Sequence, residues 1–213
     1  MKRLLLVTLL ALSVTAADKP VTEGAVRAAL TPPGDIDIGV LKAMGPAVLP
    51  HLVRIYRTTP DEQLRATYAW VFYSLGMKSP EARAALLRDI ATSNQTLRLQ
   101  VQWALGRVSD DTQVVDILAG IMRNDANPLF RDKAACALAN DQIHLTERQK
   151  VRLFRQLIDG LKDAKPQVRA IAIQALRIQT GQDKGFQPDA AEEERRRSID
   201  RWTIWLAEYE KNL

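Results

Sequence analysis

The chain has 213 residues, 46% of them hydrophobic and 26% charged, with aromatics at only 6%; that is the balance of an ordinary globular protein long enough for a sizeable core. A formal net charge of +5 is too small by itself to imply a polyanionic partner. The single cysteine, Cys136, excludes an intramolecular disulfide. No run of β-branched residues alternates with polar ones over strand length, which leaves an all-α chain.

Residues 1–16 have the three-part layout of a secretory signal peptide. Lys2 and Arg3 give a basic start, Leu4 to Leu12 an apolar run, and Val14-Thr15-Ala16 the small residues of a cleavage site. The run is too short to cross a hydrocarbon core of ~30 Å as a helix. No cysteine follows it, so lipid attachment is not expected. The reading is export to the periplasm or outside the cell, with cleavage after about Ala16 and no membrane span afterwards. Loss of Lys2 and Arg3 leaves 28 basic against 25 acidic residues, a net +3.

Residues 17–46 read as N-terminal cap helices: a short helix, a Pro-Pro-Gly turn and a second amphipathic piece. Thr31 to Asp37 is the expected flexible connection, because two prolines and a glycine punctuate it.

From 47 to 180 the chain repeats itself. Arg65, Arg98 and Arg131 are spaced by 33 residues, and Arg169 follows 38 later. A large apolar residue precedes each: Leu64, Leu97, Phe130 and Val168. Apolar residues then recur four, seven and eight positions on, such as Val101, Ala104 and Leu105, which draws one stripe along a helix. Asp61, Asn94 and Asn127 stand four residues before their arginines, where an N-cap side chain accepts a free backbone N–H. In the fourth copy Lys165 takes the capping place. Before each striped helix lies another amphipathic stretch, for example Val115, Leu118, Ile121 and Met122. The unit is therefore a helix pair, and no single pair buries enough apolar surface to stand alone, so about four pairs must stack.

The order Asn-Pro-x-(apolar)-Arg-x-x-Ala-x-x-Ala-Leu, present as "NPLFRDKAACAL" and approached by "KPQVRAIAIQAL", resembles the HEAT repeat, and in particular the bacterial HEAT-like repeats of phycobilisome lyases. The resemblance implies an α-solenoid of stacked antiparallel helix pairs. It also implies a structural ladder between units, formed by Asp61, Asn94 and Asn127 with Arg65, Arg98, Arg131 and Arg169.

Residues 181–213 read as a C-terminal capping loop and helix. Asp189 and Glu192 have the spacing of a capping box, and Glu192–Arg196 and Glu193–Arg197 that of i,i+4 pairs. Ile199, Trp202, Leu206 and Tyr209 form the stripe, with Trp205 on its flank. Gly181, Asp183, Gly185 and Phe186, followed by Arg201, Trp202 and Trp205, are similar to a closing segment of exported bacterial HEAT-like proteins.

No catalytic, cofactor or metal site emerges. Cys136 has no neighbouring histidine and reads as a buried thiol. His51 and His144 lie far apart and lack companion ligands at metal spacing. There is no Gly-rich phosphate loop, Gly-x-Ser-x-Gly or Cys-x-x-Cys. One charge asymmetry remains: residues 147–177 hold eight basic against three acidic side chains. An acidic partner docking at Arg148, Arg152 and Arg155 is one expectation. Trp103, with Gln100, Gln102 and Lys133 off the core stripe, is another candidate binding face. The leading reading is a non-catalytic, monomeric scaffold for a protein or peptide partner, with no nucleic acid expected. The alternatives are a HEAT-like enzyme, resembling a bilin lyase or a DNA glycosylase, and a structural subunit of an envelope complex.

Overall fold

A computed structural model describes residues 20–31 and 35–213. The expected signal segment at 1–16 and the Pro-Pro-Gly turn at 32–34 lie outside the described residues. Within them are eleven α-helices and no strand. In chain order they are α1 (Glu23–Leu30), α2 (Ile38–Ala43), α3 (Val48–Thr58), α4 (Glu62–Leu75), α5 (Pro80–Leu87), α6 (Gln95–Val108), α7 (Thr112–Asn124), α8 (Pro128–Asn140), α9 (Glu147–Gly160), α10 (Pro166–Thr180) and α11 (Glu192–Lys211).

Local chemistry explains the boundaries. The side chains of Asp61, Ser79, Asn94, Asp111, Asn127 and Thr146 each accept a backbone N–H from the first turn of the helix they open, relieving donors that have no intrahelical partner. Pro80, Pro128 and Pro166 stand in first turns, where a missing N–H costs nothing. Gly76 and Gly181 end α4 and α10 in the left-handed conformation, which glycine adopts without steric cost.

Successive helices pair across short links, and the pairs stack. Odd-numbered helices form one layer and even-numbered helices the other: α4 packs on α6, α6 on α8 and α8 on α10, while α7 packs on α9 and α9 on α11. The even-numbered layer is the more closely packed. Many of its buried residues are small, among them Ala66, Ala69, Ala104, Ala134, Ala137, Ala172 and Ala175. Helices that approach more closely on one side curl a stack toward that side, so the even-numbered layer is the inner one.

The repeated stripe is the core. Leu97 and Val168 are fully buried and Phe130 nearly so, as are the apolar residues that follow them on α6, α8 and α10. Leu64 departs, at 47% exposed: its neighbour on that side, α2, has only six residues and covers less of α4.

At the C-terminus, Gly181 and Gly185 both hold positive φ, 70° and 69°, and the loop they shape buries Phe186 completely. Arg201 donates to the Lys184 carbonyl at 2.7 and 2.9 Å. Trp202 is fully buried, and the Trp205 and Tyr209 rings meet Phe154 of α9 edge-on at 5.2 and 5.3 Å. Helix α11 thus covers the last outer helix, as a terminal unit must. The capping box expected at Asp189 is absent. Helix α11 begins at Glu192 behind Ala191, without a side-chain cap, so Glu192 is its first residue rather than its third. Glu193, not Glu192, pairs with Arg196 at 2.7 Å, and it faces Arg197 at 3.8 Å.

One close approach positions the inner layer. A Cβ on Gly106 of α6 would lie 2.6 Å from Gln142 Nε2 and 2.8 Å from the Asp141 carbonyl, because the α8–α9 link runs across the end of α6. Gly106→Ala is expected to destabilise the fold by about 1–3 kcal/mol through overpacking, read as a lower midpoint in urea unfolding with an unchanged slope.

Candidate functional site

Each link into an inner helix exposes carbonyls, and the repeated arginines turn back to satisfy them. The Nη1 of Arg65 donates to the Thr59 and Pro60 carbonyls at 3.1 and 3.0 Å. Arg131 does the same to Asp125 and Ala126 at 2.8 and 3.1 Å, and Arg169 to Asp163 and Ala164, both at 2.9 Å. Arg98 reaches Ile90 instead, at 3.2 Å, since α5 ends early and the link after it is longer.

Three of these arginines also reach forward to the next unit. Arg65 holds Asp89 at 3.1 Å, where the Tyr56 hydroxyl also donates, at 2.6 Å. Arg98 pairs with Asp125 and lies 4.0 Å from the centre of the Phe130 ring. Arg169 donates to the Pro188 carbonyl at 2.8 Å.

Asp61, Asn94 and Asn127 do not meet the arginines. Their side chains face the N–H groups of their own helices. The carboxylates that join units are Asp89 and Asp125, both missed in the sequence. A signal existed at one of them: Asp125-Ala126-Asn127-Pro128 recurs as Asp163-Ala164-Lys165-Pro166, and in both the aspartate accepts the N–H two residues on, at 2.9 and 2.8 Å.

The basic surplus on α9 is not a free patch. Arg152 grips Asp116 of α7 with its Nε and Nη2 at 2.7–3.0 Å. Arg155 pairs with Glu210 of α11 at 3.3 Å, and Arg148 donates to the Leu213 carbonyl at 2.7 Å. Lys150 and Lys162 face Glu147 and Asp159 at 2.7 and 2.8 Å. Arg148, Arg152 and Arg155 tie α9 to its neighbours, while Lys150 and Lys162 pair within the helix and its C-terminal end.

Trp103 has a different setting. It lies half-buried on the inner layer, its ring 6.5 Å from that of Tyr73 and tilted by 51°. Around it opens a cavity of about 550 Å³ lined by Trp70, Tyr73, Gln100, Trp103, Cys136, Asn140 and Asp141, within the size range of ligand sites. Trp70 was missed, although it stands five residues after Arg65 as Trp103 does after Arg98. The same place holds Cys136 and Gln174 in the next two copies, so one column of the repeat runs down the inner face.

Gln102 is not part of that face. It is fully buried, with neither carboxamide atom partnered among the described residues. An inner helix has neighbours on three sides, so the position after the stripe is covered too; the same place holds Ala69, Ala135 and Ile173, all buried. Lys133 is half-buried and faces Asp132 at 3.0 Å. Cys136 is half-buried rather than interior, and burial raises its thiol pKa, which keeps it protonated.

Behind the cavity, Arg107 lies 4.6 Å from the centre of the Tyr73 ring and 3.6 Å from the Asp141 carboxylate. Burial pushes Asp141 up to about 6, with Arg107 opposing the rise. His144 Nε2 sits 3.0 Å from both the Gly76 and Arg107 carbonyls, and His51 Nε2 lies 3.1 Å from the Val21 carbonyl. Both histidines therefore tie links to helix ends. Among the described residues no group of three or more His, Cys, Asp or Glu side chains is arranged to hold a metal ion, and no helix is long and apolar enough to cross a membrane.

A two-layered stack of helix pairs with arginine-pinned links defines an α-solenoid. Residues 49–139 match the family model described as HEAT repeats, so this part of the chain is built of HEAT-like repeats, with α3 to α8 lying within or at the edges of the match. The same pairing continues beyond it through α9 and α10. No curated protein matches the chain.

Two measurements separate these roles. Arg169→Met leaves three backbone carbonyls unpaired and is expected to cost about 2–4 kcal/mol in equilibrium unfolding, whereas Arg152→Ala, at an exposed pair, is expected to leave the midpoint nearly unmoved. Asp141, with its folded pKa above its unfolded one, favours folding below about pH 4 and loses that contribution as pH rises to about 6. Asp141→Asn should therefore gain stability relative to the parent over this window, by on the order of 2 kcal/mol at pH 7, as read from denaturation at a series of pH values.

Proposed function

We propose that the chain is an exported, non-catalytic scaffold that holds a protein partner on its inner layer. The observation that carries this reading is where large apolar side chains stay uncovered. Val40, Leu64, Trp70 and Ile178, all on even-numbered helices, are exposed, and Ile143 is exposed in the link under α4 and α6. Among the described residues, none of α1, α3, α5, α7 and α9 presents one, while Ile204, at 59% exposed, lies apart on the capping helix α11. Apolar surface gathered on one face of a protein marks an interaction site, whereas scattered residues do not. The outer layer from α7 to α11, by contrast, is tied together by internal ion pairs, while a groove of about 610 Å³ opens between α3 and α5.

Support for the absence of catalysis comes from the groups themselves. Cys136 stays a thiol, with no histidine beside it and with burial and the Asp132 and Asp141 carboxylates opposing its ionisation, while both histidines lie against backbone carbonyls. HEAT repeats in general serve as interaction scaffolds. Support for export is the signal-like segment at 1–16.

A photo-crosslinking amino acid placed at Trp70, Gln174 or Arg155 in the native host tests the reading. The same identified protein should be captured from positions 70 and 174 and not from 155. Intact mass of the protein recovered from the cell envelope should correspond to removal of residues 1–16. Capture from 155 alone, or a full-length cytoplasmic chain, would contradict it.

A further inference from the structure

The inner-layer cavity has a chemistry that narrows what the partner presents. We propose, on the reading that the inner layer holds the partner, that this cavity binds an extended, uncharged stretch of polypeptide bearing aliphatic or aromatic side chains.

Charge is the first argument. The cavity between α4, α6 and α8 contains one carboxylate, Asp141, with Arg107 behind it at 3.6 Å. The next charges along the face, Asp132 and Lys133, lie 3.0 Å from each other. Among the described residues, the charges along this face are paired with one another. A charged segment would lose its hydration there without gaining an opposite charge, which is unfavourable.

Shape and hydrogen bonding supply the rest. Trp70 and Trp103 occupy the same place in adjacent units, and Tyr73 lies between them in the lining, so flat apolar surfaces recur along the face. Gln100 lines the same cavity, so a side-chain amide stands beside the rings, and such an amide pairs with the N–H and C=O groups of a peptide backbone.

A second groove, about 160 Å³, continues from Cys136 between α8 and α10 past Ala139, Ile171 and Ile178. The two share Cys136 and together make a track across α4, α6, α8 and α10. An extended strand, which presents same-side residues every ~7 Å, suits a narrow track better than a helix ~10 Å across.

The test is selection of randomised peptides of about twelve residues displayed on phage against the mature protein, followed by binding of the enriched sequence as a terminally blocked peptide. Expected are peptides near zero net charge with alternating apolar residues, and an affinity that changes less than about twofold between ~50 and ~500 mM salt. Trp70→Ala and Trp103→Ala should each weaken binding about tenfold or more, Trp103→Phe should retain most of it, and Arg152→Ala should leave it unchanged. Circular dichroism melting confirms that each variant is folded. Enrichment of charged or helical peptides, no enrichment, or indifference to both tryptophans would overturn the proposal. If selection fails while residues 70 and 174 still crosslink to a folded partner, the scaffold reading survives and the extended segment does not. Loss of both removes the two together.

Discussion

Everything in this fold depends on how the links between helices are closed. A short link leaves backbone carbonyls close to the core, and an unpaired buried carbonyl is costly. Arg65, Arg131 and Arg169 each bend back over the first turn of an inner helix to bind the two carbonyls behind it. The same guanidinium then reaches forward, from Arg65 to Asp89 and from Arg169 to Pro188. One side chain thereby sets a link's conformation and its distance from the next unit. Neighbouring units register because their links are held in the same way.

That register has a consequence on the inner face. Once units repeat in orientation, equivalent positions fall into columns. Small residues such as Ala104 and Ala137 fill the columns between inner helices and let them approach. The uncovered column carries Trp70, Trp103, Cys136 and Gln174. The outer layer faces the opposite constraint: its helices stand further apart, and long side chains bridge them, as Arg152 does to Asp116 and Arg155 to Glu210. Charge outside and apolar or amide groups inside are two results of one curvature.

The periodicity of the chain made much of this legible. Arginines spaced by 33 residues, with an apolar residue before and a stripe after each, were enough to place the inner helices and their buried faces. Partnerships between side chains were harder. The family resemblance implies Asp61, Asn94 and Asn127 as arginine partners, yet these side chains turn to the N–H groups of their own helices. Asp89 and Asp125 lie at the ends of outer helices, and their distance from the arginines in sequence, 24 and 27 residues, follows no constant period. The α9 arginines read as a surplus because Asp116 and Glu210 belong to other helices. Trp70 could have been found by carrying the alignment five residues past each arginine. Gln102 could not, since its burial comes from neighbours on three sides rather than from its own helix.

Stability should therefore be shared along the stack rather than owned by any one pair. Residue-resolved amide hydrogen exchange on the purified protein measures this directly. If links and neighbours hold the units together, protection should be greatest in α6 and α8, which are covered on both sides, and should fall toward α1 and α2 at the open end. Uniform protection in every pair, or a maximum in α1 and α2, would contradict a stack whose units depend on one another.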